Sequence, residues 1–167
     1  MTTDEYLDGA VTLLQQLIAT PSASRNEDKA ADIMENTISS YGLTVHRKGN
    51  NIWTIDPEDD ESRQTLLINA HIDTVKPVTT WNRDPYSPEI EDDRLYGLGS
   101  NDCGGGLVTL LQIFRKKIKE KRNYNLVSLA SAEAEVSGAN GISLALPLLP
   151  QFGSAIVGEP AGMQPAI

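Results

Sequence analysis

Apolar residues recur at helical spacing in two stretches near the start of the chain. Tyr6, Ala10, Leu13, Leu14, Leu17 and Ile18 form one stripe, which Thr20-Pro21 ends, and Thr2-Thr-Asp-Glu5 ahead of it has the spacing of a capping box. Ala30, Ile33, Met34, Thr37, Ile38 and Tyr41 form a second stripe that Gly42 stops, with Ser24-Arg-Asn-Glu27 placed as another capping box. Both stripes read as core. The period then changes. Leu43 to Arg47 and Asn51 to Asp56 read as two short strands around the turn Lys48-Gly-Asn-Asn, with His46 facing solvent. Thr65 to Ala70 is an apolar run with the length of a buried central strand, and His71 and Asp73 emerge at its end.

Val75 to Asp93 is rich in proline and acidic residues and reads as an irregular surface excursion. A glycine-rich segment, Gly97-Leu-Gly99-Ser-Asn-Asp102-Cys-Gly104-Gly-Gly106, leads into a helical face of Leu107, Leu110, Leu111, Phe114 and Ile118. Asn125 to Ala130 and Ala155 to Gly158 are two more strand-like runs, the first followed by Glu133-Ala134-Glu135 and the second by Glu159-Pro160. Strands alternating with helices predict an α/β fold, a three-layer sandwich around a mixed, mainly parallel sheet.

Composition narrows the function. The 167 residues suit one domain, with 40% hydrophobic and 22% charged residues as in ordinary globular proteins. A formal net charge of −9 excludes a nucleic-acid surface, which needs a concentrated positive field. No hydrophobic signal core opens the chain, and Pro147 interrupts the apolar stretch Ile142 to Leu149. Together with a single cysteine, Cys103, this predicts a cytoplasmic protein without a membrane partner.

The candidate chemistry lies at the strand ends. His71 and Asp73 leave an extended backbone on the same side, so one can bind a metal while the other orients it. Taken alone, His-x-Asp is a common strand end, and Asp102 reads equally as a helix N-cap. Residues beyond the carboxyl ends of neighbouring parallel strands converge on one crevice, however, which would gather His71, Asp102 and the glutamates together. Carboxylates so gathered repel unless a cation holds them, and one histidine among them suits zinc, or cobalt or manganese in its place, better than calcium. A dinucleotide fingerprint fails because its third glycine would fall on Asp102, and Ser137 lacks the glycine of a nucleophile elbow.

His71-Ile-Asp73, Gly97-Leu-Gly99-Ser-Asn-Asp102, Ala132-Glu133-Ala-Glu135-Val-Ser-Gly and Gly158-Glu159-Pro160, in this order, resemble the motifs of a zinc-dependent deacylase and exopeptidase family. That family includes acetylornithine deacetylase, succinyl-diaminopimelate desuccinylase and glutamate carboxypeptidase. The wording is nearest to its acetylornithine and succinylornithine deacetylase branch, an enzyme class of arginine biosynthesis. The resemblance implies one or two zinc ions. Asp102 would bridge a pair, His71 and Glu159 would serve one ion and Glu135 the other, and Asp73 would support His71. It also implies a cis peptide at Asp102-Cys103, a small N-acyl amino acid as substrate and a homodimer in intact relatives.

Two departures qualify the match. The family carries adjacent glutamates where this chain reads Glu133-Ala134-Glu135, so the general-base position is occupied by Ala134, which has no proton acceptor. Such a loss costs a factor of about 100 to 10,000 in rate. Residues 1–167 would also correspond to the N-terminal part of the catalytic domain, without the lid or dimerisation domain and without the C-terminal part. The expectation is therefore a metal-dependent amide hydrolase that removes an acetyl or succinyl group and is inactive as written. The alternatives are a non-catalytic metal-binding or interaction fragment, or an exopeptidase of the same family.

Overall fold

A computed structural model describes residues 2–161. Helix α1 (Thr3–Ile18) opens as its sequence dictates. Thr2 Oγ1 accepts the Glu5 N–H at 3.3 Å, and the Glu5 carboxylate accepts the Thr2 N–H at 2.6 Å. Helix α2 (Asp28–Ser40) follows, then strands β1 (His46–Lys48) and β2 (Asn51–Ile55), with β1 shorter than expected. Leu43 and Val45 pack on the core ahead of the ladder instead of pairing within it. His46 is half-buried and stacks on Trp53, its ring centroid 5.5 Å away.

Strand β3 (Thr65–His71) is the central element. The excursion after it is less irregular than its composition suggests. Strands β4 (Glu89–Glu91) and β5 (Arg94–Tyr96) form a hairpin whose turn puts Asp92 and Asp93 at φ 50° and 58°. Aspartate tolerates that left-handed region better than most residues. Arg83 ties the hairpin down through ion pairs with Glu89 and Glu91 and lies over the Tyr96 ring. Helix α3 (Gly106–Lys117), strand β6 (Asn125–Ser131), a single-turn helix α4 (Ile142–Ala145) and strand β7 (Ser154–Val157) complete the described chain. Pro147 falls in a 3₁₀ turn directly after α4.

The sheet has the order β1-β2-β6-β3-β7, antiparallel from β1 through β6 and parallel from β6 through β7. This is the expected mixed α/β sheet, parallel where the candidate chemistry lies. Alternate residues of β3 serve the two faces. Ala70 packs with Leu13, Leu17, Met34, Leu107 and Leu111 of α1 to α3, whereas Leu67 packs with Trp53, Leu129 and Ala145 on the thinner α4 side. Phe114, fully buried against Ile68 and Leu126, anchors α3 to the sheet. Strand β7 differs from expectation: it runs along the sheet's edge, and Ile156 and Val157 are exposed. Among the described residues no helix is long and apolar enough to cross a membrane.

Candidate metal centre

Parallel register brings the site together. Within the ladder, His71 pairs with Ser131 and Asn69 pairs with Val157. The Gly158 N–H continues the pairing by donating to the Asn69 carbonyl at 2.8 Å. Position 159 is thereby carried to the level of His71, and the chain leaving β6 emerges on the other side. His71 Nε2 lies 3.8 Å from a Glu159 carboxylate oxygen.

Asp102 arrives from a tightly wound segment, Ser100–Gly105, that feeds α3. Gly104 makes the winding possible. Its N–H donates to the Gly99 carbonyl at 2.9 Å, and a Cβ on Gly104 would stand only 2.5 Å from that oxygen. The Asp102–Cys103 peptide is cis, as the resemblance implied. Asp102 makes no helix cap, since α3 begins beyond Gly105. Its Oδ1 instead stands 3.3 Å from His71 Nε2. Ligand atoms of His71, Asp102 and Glu135 all lie within 4.8 Å of one another, as do those of His71, Cys103 and Glu159.

His71 is 5% exposed and held on every side. Its Nδ1 is 2.8 Å from the Asp73 carbonyl oxygen and 3.4 Å from the Asp73 carboxylate. Its backbone N–H donates to Cys103 Sγ at 3.1 Å, and that thiol donates to the His71 carbonyl at 3.3 Å. Burial pulls the imidazole pKa down, but the hydrogen bonds with Asp73 and Cys103 prevail and the value is pushed up to about 11. Glu135 shifts upward through burial and the carboxylates of Asp102, Asp73 and Glu159.

The Asp73 carboxylate does more than support the histidine. Its Oδ1 accepts the N–H of Ala134 at 3.0 Å, and its Oδ2 accepts the N–H of Glu135 at 3.1 Å and the hydroxyl of Ser24 at 2.6 Å. Burial raises the Asp73 carboxyl, but bonds from His71, Ser24 and these two amides outweigh it and hold it below its ordinary value. Ser24 therefore does not cap a helix. The helix it was expected to open starts at Asp28, and Glu27 sends its side chain across the molecule to accept the N–H of Glu133 at 3.2 Å.

The segment after β6 is a turn, not a continuing strand. Glu133 is left-handed, with φ 50°, and a 3₁₀ turn follows over Ala134–Val136. The Glu133 carboxylate folds inward and accepts from the backbone and side-chain nitrogens of Asn140, at 3.3 and 3.0 Å. Gly138 leaves room for it, since a Cβ there would lie 1.8 Å from a Glu133 oxygen. Glu133 is thus committed to structure and does not stand in for the missing base. The Ala134 methyl group is exposed to a cleft of about 310 Å³, lined also by His71, Ser131, Ser137 and Glu159. A second cleft, of about 320 Å³, reaches Asp102 and Glu135 from the side of Val75 and Trp81.

The donor set fits divalent metal. An imidazole and three exposed carboxylates meet in two groups that share His71, with no lysine or arginine among their recorded partners, a donor set of the kind that holds a divalent cation. Known proteins resemble the chain in sequence and in fold. The family model described as Peptidase family M20/M25/M40 matches residues 67–166. Acetylornithine deacetylase from Edwardsiella ictaluri is 30% identical over 173 aligned positions, covering 95% of this chain and 45% of the relative. Succinyl-diaminopimelate desuccinylase from Blochmanniella floridana is 26% identical, covering 93% of this chain and 44% of the relative. The chain thus spans a little under half the length of these relatives. Among solved structures, a dinuclear metal-binding peptidase of the M20 family from Bacillus subtilis superimposes with a TM-score of 0.70 at 11% identity, covering 92% of this chain and 43% of its own.

Proposed function

The chain belongs to peptidase family M20/M25/M40, and on that premise we propose that its cleft is that of an N-acyl amino acid amidohydrolase whose general base has been lost. The observation that carries the reading is the convergence of His71, Asp102, Glu135 and Glu159 at one edge of three parallel strands, with Ala134 beside them. In this reading His71 and Glu159 would hold one divalent ion and Glu135 a second, with Asp102 available to both. Zinc is the first candidate, with cobalt or manganese as substitutes. Divalent metal bound there would supply Lewis acidity, polarising a carbonyl oxygen and making water more acidic.

The chain's own residues do the rest. Asp73 presents its carbonyl oxygen to His71 Nδ1, which fixes the ring plane and leaves Nε2 pointing at Asp102. The same residue's carboxylate fixes the backbone of positions 134 and 135. A carboxylate at 134 would take a proton from the attacking water and return it to the leaving amine. Ala134 performs neither transfer, and Glu133 is bound to Asn140. We therefore assign the chain as inactive, or nearly so, in amide hydrolysis.

The substrate class is an amino acid carrying an N-acetyl or N-succinyl group, with N-acetylornithine the first candidate from the acetylornithine deacetylase relative. The domain assignment is the N-terminal part of a catalytic domain, in a cytoplasmic protein that homodimerises when intact and binds neither nucleic acid nor membrane. A second reading, a metal-binding module without catalysis, is favoured by Ala134 alone.

One experiment separates the readings. Metal content of the purified chain is measured by atomic emission, alongside hydrolysis of N-acetylornithine and N-succinylornithine with and without Ala134→Glu. Stoichiometric zinc with hydrolysis that appears on Ala134→Glu supports the amidohydrolase. Zinc without hydrolysis in either form supports the module, and no metal under any loading condition removes both.

A further inference from the structure

Glu27 is a buried carboxylate for which metal chemistry has no use. It is 1% exposed and lies at the start of α2, yet caps nothing. One oxygen accepts the Glu133 N–H, and the other is buried without a hydrogen-bond partner among the described residues. Ser24, three residues earlier, donates its hydroxyl to Asp73. The loop holding both is itself fastened to the strand end: Ser24 N–H donates to the Thr74 carbonyl at 3.2 Å, and Thr74 N–H donates to the Ser22 carbonyl at 2.9 Å. The loop between α1 and α2 therefore grips two separate parts of the site at once.

We propose that Ser24 and Glu27 are positioning residues that clamp the turn at Glu133–Glu135 against Asp73, so that Glu135 is presented to Asp102 and His71. Three acceptor atoms hold three consecutive amides in this turn. Glu27 takes the N–H of residue 133, and the two Asp73 oxygens take those of 134 and 135. Ser24 fixes the Asp73 oxygen that holds residue 135. Such support is needed because Glu133 is left-handed and the turn leaves the β6 ladder at once, so no strand pairing fixes it. The bare carboxyl oxygen of Glu27 faces no donor, so its function there requires an acceptor and not a charge. Burial, with the Asp73 and Glu133 carboxylates nearby, raises its pKa.

The metal arm of this proposal rests on the amidohydrolase reading; the clamp itself does not. Two readouts keep them apart. Amide hydrogen exchange at residues 133–135 is followed by NMR in the metal-free chain, and zinc affinity is measured by competition with a chromophoric chelator, for the wild type, Glu27→Gln, Glu27→Ala and Ser24→Ala. Glu27→Gln keeps an acceptor oxygen and is expected to match the wild type in both. Glu27→Ala is expected to speed exchange at Glu133 by about threefold or more, and to weaken zinc binding by about 10- to 100-fold. Ser24→Ala is expected to act in the same direction at Glu135.

Wild-type exchange at residue 133 in a folded Glu27→Ala chain overturns the clamp, and so does Glu27→Gln exchanging as fast as Glu27→Ala. Should Glu27→Ala fail to fold, Ser24→Ala decides: unchanged exchange at residue 135 overturns the proposal and faster exchange supports it. A wild-type chain that takes up no zinc removes the metal reading, while exchange still decides the clamp.

Discussion

His71 Nε2 stands 3.3 Å from Asp102 Oδ1, across 31 residues of sequence, brought there by the winding of a glycine segment and by the hydrogen bonds between Cys103 and the His71 backbone. An imidazole and a carboxylate this close, beside Glu135 and Glu159, are the donors that the proposed metal would take.

Metal should therefore stabilise the fold through linkage. At a free zinc concentration of 100 times Kd the chain is expected to gain about 2.7 kcal/mol, and a chelator should remove it. Asp102→Ala and His71→Ala should abolish the gain. Urea unfolding with and without zinc measures it, and an equal zinc-induced shift in wild type and Asp102→Ala would show that the ion binds elsewhere.

Glu27 predicts a pH dependence of stability with a definite sign. Its folded pKa is raised above the ordinary value of 4.5, chiefly by burial, with the Asp73 and Glu133 carboxylates adding to it. A raised value means the folded chain binds the proton more tightly than the unfolded one. The stabilisation is complete below about pH 4.5 and is lost as pH rises through the folded value. Glu27→Gln does not titrate, so its stability relative to wild type should grow over that window. Urea melts between pH 4 and 8 measure the difference; one that stays flat would mean that Glu27 titrates alike in the folded and unfolded chain.

Much of this was legible in the chain. The Thr2–Glu5 box did cap α1, because a capping box is closed by its own four residues. Thr65 to His71 was readable because an apolar run of that length has few other fates. Ser24-Arg-Asn-Glu27 has the same spacing and failed. Its side chains are drawn to Asp73 and Glu133, which are 49 and 106 residues away, and periodicity carries no information about such partners. The only available signal was Ser24 and Glu27 sitting a full turn ahead of the apolar stripe. The β4–β5 hairpin was hidden for a different reason: it is held by Arg83 ion pairs to Glu89 and Glu91, which hydrophobic periodicity does not report, while its local composition is that of a loop. The turn at Glu133 was not legible because neither a glycine nor a proline marks where the chain leaves β6.

The ion pair of Asp56 and Arg122 predicts a large stability effect remote from the site. The side chains are 0% and 5% exposed, and Arg122 also donates to the carbonyls of Lys117 and Glu120, joining the end of α3 to the end of β2. Arg122→Ala leaves Asp56 buried without its counter-charge and should cost about 3 to 5 kcal/mol. Replacing both by apolar residues of similar volume should cost far less. Chemical denaturation of the two single variants and the double variant tests this, and additive losses would show that the pair is not coupled. Zinc affinity should be unchanged throughout.

Position 134 carries the sharpest prediction, because backbone and side chain there have separable roles. Its N–H is held by Asp73 at 3.0 Å, and its methyl group is exposed to the cleft, so a longer side chain can be added without disturbing the turn. Ala134→Glu should therefore fold with stability within about 0.5 kcal/mol of wild type, as surface changes usually do. What it adds is a proton acceptor in the cleft that His71 and Glu159 also line. The expected gain in kcat/KM on an N-acyl amino acid is about 100- to 10,000-fold over wild type. Ala134→Gln has nearly the same size and hydrogen-bonding reach but takes no proton. If the added group works by positioning water, glutamine should recover much of the gain; if it works by proton transfer, glutamine should recover almost none. The second outcome is expected, and a glutamine variant as active as the glutamate would end the argument that Ala134 stands where a base belongs.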